Sequence, residues 1–296
     1  MTDILDRPTR RQFAGASAAG IALAGAAPAA FAATDVTETD VVIKTADGEA
    51  DAALYHPSTT GKWPAVVMFT DALGLRPAFR DMGRRLASSG YTVIVPNPFY
   101  RTRKAPVLPE PFDFGNPADR AKLGELTKPL NPENTTRDGL AWLAFLDAQK
   151  VTDKRKKAGA VGYCMGGPLT MRLAAANPAR VGAGMSCHGG GVVIEPPAAG
   201  QAAQPGAPDP STSPHLLVPK MKAAFYFAIA ANDAERQPDQ KAKLEAAFAA
   251  AHLPVTAVVY DGCQHGWCVK GSAVYNEAGA ERAWAEMLKL YKANLV

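Results

Sequence analysis

"GAVGYCMGGPL", residues 159–169, sets Cys164 between Gly162 and Gly166, two positions before it and two after. A buried structural cysteine needs no such flanks. A thiol raised on a tight strand-to-helix turn does, because a side chain at either flank would collide with neighbouring backbone. The pattern is G-x-S-x-G with cysteine in the serine's place, a turn that lifts a nucleophile above the end of a strand. It predicts a strand over 157–163 and a helix over 165–176. It also asks for a base and an orienting carboxylate later in the chain.

The flanking sequence supplies a matching frame. Residues 41–44 and 52–56 read as two short strands around the turn residues Asp47-Gly48. "PAVVMFT" (64–70) is a continuous apolar run, the mark of a central parallel strand covered on both faces. A helix over 77–89 ends at Gly90, and "YTVIVPN" (91–97) is a second buried strand, stopped by proline. A Pro- and Arg-rich loop follows. Next comes a helix over 133–149, with Leu140, Leu143 and Phe145 at helical spacing. Strands are expected at 182–187, 223–229 and 254–260, and helices at 239–252 and 277–293. This alternation predicts an α/β architecture: a mostly parallel sheet of about eight strands with helices on both faces. The Pro-, Ala- and Gly-rich stretch 195–214 interrupts the alternation without ending it, so residues 33–296 read as one domain.

Composition excludes some functions. The chain has 296 residues, 47% hydrophobic and 20% charged, with a net charge of +4. Its one dense basic run, 154–157, reads as a solvated stretch before a buried strand, so nucleic acid is not an expected partner. The N-terminus differs in character. "TRRQFAGASAAGIALAGAAPAAFAA" (9–33) places Arg10-Arg11 and Phe13 before a mildly apolar run, with Ala30 and Ala32 forming an A-x-A exit. It resembles a twin-arginine export signal, although the lysine often found after the phenylalanine is missing. The expectation is a signal over 1–32, a periplasmic or secreted mature protein of net charge +3, and no stable membrane anchor once the signal is removed. Four cysteines make no disulfide framework. Cys263 and Cys268 are near enough in sequence to pair locally, whereas Cys164 is expected to stay free.

The partners that the elbow demands follow in order. The apolar strand in "AAFYFAIAANDAERQP" (223–238) ends at Asp233, and "VTAVVYDGCQHGW" (255–267) ends in a loop holding His265. Both lie just past the carboxyl ends of parallel strands, where open α/β sheets gather their sites. An ordinary thiol, of pKa ~8.5, is only partly ionised near neutrality, and an adjacent imidazole can take its proton. Asp233 would fix the tautomer of His265 and stabilise the imidazolium. The backbone N–H of Met165 would face a developing oxyanion, joined by a donor near Ala72. Asp239, after Pro238, reads as an N-terminal helix residue, and His252 closes a helix. His188, in "SCHGGG", stays under review as an alternative histidine. Cys263, His265 and Cys268 match no zinc spacing, so neither metal nor cofactor is expected.

The chain resembles the dienelactone hydrolase family of α/β-hydrolases over residues 41–295. The resemblance lies in "VVMFTDALGLRP" (66–77), "GYCMGGPL" (162–169), "SPHLLVPKMKAAFYFAIAANDAE" (213–235) and "YDGCQHGW" (260–267). Cysteine at the elbow is its specific element. The resemblance implies a Cys164–His265–Asp233 triad, an oxyanion hole from the Met165 and Ala72 amides, and hydrolysis of a small ester or lactone. It also implies a thiol-contacting carboxylate at Asp71, where the founding enzymes have glutamate, one methylene longer. Arg101 matches one substrate-binding arginine, and Arg76 adds basic material near the same mouth. The second family arginine would stand four residues past the histidine, where this chain has Val269. The competing class is a thiol or ligand-binding protein that keeps the scaffold without hydrolysis. The absence of a C-x-x-C motif and the intact acid and base weigh against it.

Overall fold

A computed structural model describes residues 35–108, 111–197, 200–202 and 206–296. The proposed signal, residues 1–32, lies outside the described residues. Strands β1 (Val36–Thr45) and β2 (Gly48–Pro57) form a hairpin over Ala46-Asp47, and Gly48 takes the positive φ of 132° that lets the chain reverse there. The other strands are β3 (Ala65–Phe69), β4 (Thr92–Pro96), β5 (Ala158–Tyr163), β6 (Val181–Cys187), β7 (Ala224–Ala230) and β8 (Val255–Tyr260). They join the hairpin in one eight-stranded sheet of order β1-β2-β4-β3-β5-β6-β7-β8. Only the β1–β2 and β2–β4 pairings are antiparallel. The expected architecture is therefore present.

Strand alternation divides the core between the two faces of the sheet. Val67 and Phe69 point to a layer closed by α3 (Pro132–Ala148), α4 (Gly166–Ala176) and α6 (Gln240–Ala250), which contribute Trp142, Leu173 and Phe248. Val66 and Met68 point to the other layer, closed by α1 (Pro77–Ser88) and α7 (Glu277–Asn294) through Phe79, Trp284 and Tyr291. Burial on both faces is why β3 and β4 read as unbroken apolar runs.

The segment read as a Pro- and Arg-rich loop holds a helix, α2 (Pro117–Thr127). It begins with Asn116, whose side chain accepts the Ala118 N–H, and Pro117 follows at the first helical position. Of its residues only Leu126 is fully buried, so no apolar stripe announces it in the sequence. A short helix, α5 (Ala231–Arg236), follows β7 directly.

The glycine fence has a steric cause. A Cβ on Gly162 would fall on the Gly166 carbonyl, and one on Gly166 would lie 2.7 Å from the Phe69 carbonyl oxygen. Gly162→Ala is accordingly expected to lower unfolding stability by about 3 kcal/mol, through overpacking that backbone cannot relieve. Gly124→Ala, in exposed α2 with open space around it, should instead stabilise by up to ~1 kcal/mol. Urea midpoints of the two variants test this, and equal midpoints would count against the steric account.

Candidate active site

Cys164 follows β5 and precedes α4, at φ 53°. A non-glycine residue in the left-handed region costs roughly 1–2 kcal/mol and persists only where the surroundings impose it. Here the imposition is visible. The Cys164 N–H is shared between the Cys187 carbonyl (3.1 Å) and Nδ1 of His188 (3.2 Å), and its carbonyl accepts the Gly167 N–H (3.1 Å). The side chain is half-buried, whereas the other three cysteines are buried.

His265 lies in the loop after β8, between Gly262 (φ 71°) and Gly266 (φ 102°), which turn the chain back over the strand ends. Its Nδ1 is 2.6 Å from Oδ2 of Asp233, in the first turn of α5. Its other charged neighbour is the Cys164 sulfur, near enough to favour the imidazolium. Burial alone would depress the imidazolium. The hydrogen bonds and charges of Asp233 and Cys164 outweigh it and push the His265 pKa up to about 10. The sequence-predicted Cys164, His265 and Asp233 are thus brought together at one edge of the sheet.

Two neighbours complete the arrangement. Asn232 accepts the His265 backbone N–H through Oδ1 at 2.9 Å, and Arg236 donates to Oδ1 of Asp233 at 2.6 Å. Adjacency to Asp233 was their only sequence signal. His188, kept under review in the sequence, stands at the site in a different capacity. It is 1% exposed, with its ring edge-on to His265 (5.0 Å between centroids) and to Trp267 (5.1 Å). Burial, with the positive neighbour His265, pushes its pKa down to about 3. Since Nδ1 accepts an amide proton, the neutral ring carries its own proton on Nε2. His188 therefore holds the Cys164 backbone, and its own Nδ1 lone pair is already engaged.

The Met165 N–H opens the first turn of α4, where amides lack intrahelical partners. The Ala72 N–H, in the loop after β3, donates to no group among the described residues. Beside it the charged side chains pair with one another. Asp71 is engaged by Arg76 through two hydrogen bonds, 2.6 and 2.8 Å, and accepts the Leu73 N–H at 2.9 Å. Its carboxylate is thus held by Arg76 and the Leu73 amide, the partners it has among the described residues. Arg76 is correspondingly a salt-bridge residue. Arg101, expected to bind substrate, is held by Asp138 (2.7 and 2.8 Å) and Asp47 (2.6 and 3.0 Å) through all three guanidinium nitrogens. Cys263 and Cys268, near enough in sequence to pair, are both buried and free, and Cys164 and Cys187 are free as well.

An eight-stranded sheet of this order, with a nucleophile turn after β5, an acid after β7 and a histidine after β8, defines an α/β-hydrolase. The chain belongs to the dienelactone hydrolase family, whose model matches residues 50–295. A Synechocystis protein provisionally named a carboxymethylenebutenolidase is 26% identical over 262 residues, 88% of this chain and 98% of its own. The carboxymethylenebutenolidase of Rhodococcus opacus is 29% identical over 128 residues, 43% of this chain and 45% of its own. Among solved structures, a provisionally described dienelactone hydrolase from Klebsiella pneumoniae superposes with a TM-score of 0.72 at 23% identity, covering 88% of this chain and 99% of its own. The dienelactone hydrolase of Anabaena variabilis superposes at 0.59 and 15% identity, covering 88% and 99%. At such identities these two structures establish the fold. Family and relatives together support a hydrolase.

Proposed function

We propose that this hydrolase cleaves a small ester or lactone through a cysteinyl acyl-enzyme, with Cys164 as nucleophile, His265 as acid and base, and Asp233 as its orienter. The observation that carries the reading is the His265 Nδ1 held 2.6 Å from Asp233, on a ring whose pKa the neighbouring Cys164 sulfur helps to raise. The Cys164 thiolate adds to the substrate carbonyl, forming the C–S bond and moving the C=O electrons to an oxyanion facing the Met165 and Ala72 amides. The oxyanion collapses, the C–O bond to the leaving group breaks, and His265 gives that oxygen its proton. Once the sulfur is acylated, the Cys164 charge that helped raise His265 is gone. The imidazole pKa then falls toward its ordinary value, and the ring can take a proton from the water that attacks the thioester. Thiolate and acid are released. No cofactor enters these steps.

Assay of the chain on a panel of p-nitrophenyl esters and enol-lactones tests the reading. Turnover that disappears with alkylation of Cys164 is expected, and a panel left wholly unhydrolysed would count against it. The N-terminal sequence carries a separate part of the proposal, export by the twin-arginine route. Replacing Arg10 and Arg11 by lysines is expected to leave an active protein held in the cytoplasm, since the pair is an address. Fractionation of expressing cells reads this out. Double-lysine protein reaching the periplasm at the unaltered level would remove the export proposal.

A further inference from the structure

We infer that the substrate's acyl group is uncharged and apolar, an alkyl ester or alkyl-substituted lactone; the inference rests on the proposed hydrolysis at Cys164. Two independent sets of contacts lead to it. The first occupies the two arginines that the family resemblance offers to an anionic substrate. Arg101 has each guanidinium nitrogen bound to Asp47 or Asp138, and the Asp138 side chain is only 2% exposed. Arg76 is bidentate on Asp71, with side chains 13% and 15% exposed. Val269 is buried, and its neighbour Lys270 lines a different cavity, between α1 and α7. A substrate carboxylate would have to displace a resident carboxylate from one of these pairs.

The second set shows what stands there instead. Leu73, next to the Ala72 amide, and Met165, which supplies the other amide, both pack on one apolar cluster built on Phe99 and Leu126. That cluster is separate from the two layers of the main core and includes half-buried Phe112. Phe114 stacks edge-on against Phe112, with centroids 4.8 Å apart, and is 55% exposed. A carbonyl oxygen directed at the two amides therefore lies beside Leu73 and Met165, the two members of that apolar cluster that carry or adjoin those amides. Each methylene buried on such a wall adds roughly four-fold to binding, whereas a carboxylate placed there without a partner is strongly disfavoured.

The test is a matched pair, p-nitrophenyl hexanoate and the mono-p-nitrophenyl ester of adipic acid, in which a carboxylate replaces the terminal methyl group. The expected result is kcat/KM at least ~10²-fold higher for the hexanoate, the scale on which an unpaired charge in an apolar pocket is rejected. Phe114→Arg, at an exposed position that leaves folding intact, should narrow that ratio by at least ~10-fold by supplying the missing cation. Adipate turnover equal to or faster than hexanoate turnover by the unaltered chain would overturn the inference. If neither ester is hydrolysed, the catalytic reading has failed, and binding of hexanamide against 5-carboxypentanamide decides this one. At least ~10-fold tighter hexanamide supports an apolar acyl site, and equal or weaker binding overturns it.

Discussion

Cys164→Ala is expected to leave at most about 10⁻⁴ of the ester hydrolysis of the unaltered chain, the scale of loss seen when a covalent nucleophile is removed from an enzyme. Its backbone amide bonds to the Cys187 carbonyl and His188 need no sulfur, so the variant should fold. The parallel chemical experiment exploits burial. Cys187, Cys263 and Cys268 are 2%, 3% and 9% exposed, whereas Cys164 is half-buried at a helix N-terminus, beside the His265 imidazole. Iodoacetamide should therefore modify one thiol far faster than the other three, and hydrolysis should be lost in step with that modification. Burial also pushes the Cys263 and Cys268 thiols up, which slows them further. Peptide mapping identifies the alkylated residue. Full activity in Cys164→Ala, or in protein alkylated at Cys164, would end the assignment.

His265→Ala should lower kcat by at least ~10²-fold, the contribution usual for a positioned general acid and base. Asp233→Asn removes a hydrogen bond and a charge that together raise the imidazolium, so it should impair turnover and lower the His265 pKa from about 10. The sign has a consequence for pH dependence. A pKa raised on folding contributes stability that is full below the unfolded value, near 6.5, and is lost as pH rises through about 10. The Asp233→Asn protein should therefore lose its stability deficit relative to the unaltered chain as pH climbs through that window. Histidine NMR titrations and urea midpoints between pH 6 and 10, set by those two pKa values, provide the measurements. His188→Ala discriminates between the two histidines. It removes an acceptor from the Cys164 amide but leaves the Cys187 carbonyl bond, so its loss should be smaller than that of His265→Ala. A larger loss from His188→Ala would mean that the base is misassigned.

The fold was legible because its signals are local and steric. Gly162 and Gly166 imply their turn through the carbonyls they approach, and the runs at 65–69 and 92–96 imply burial on both faces. Helix α2 escaped because it buries little and sits between prolines. At the site, chain order pointed to Cys164, Asp233 and His265, since each follows a parallel strand. Charge pairing was not legible. Whether Arg101 faces a substrate or Asp138 depends on α3, which the sequence cannot bring beside the loop after β4. Arg76 and Asp71 are five residues apart, yet nothing in that spacing says that they meet bidentately. His188 was visible as a histidine after a strand. Its seat against the Cys164 amide goes with φ 40° just past the end of β6.

A covalent intermediate on Cys164 should be visible by mass spectrometry of the intact protein. Rapid acid quenching during turnover of p-nitrophenyl hexanoate should reveal a species heavier by one hexanoyl group, labile to hydroxylamine. Peptide mapping should place that group on the peptide containing Cys164, and Asp233→Asn should accumulate it if deacylation is the step slowed more. Turnover with no acyl adduct on any cysteine, or an adduct on another residue with Cys164 unmodified, would contradict the account.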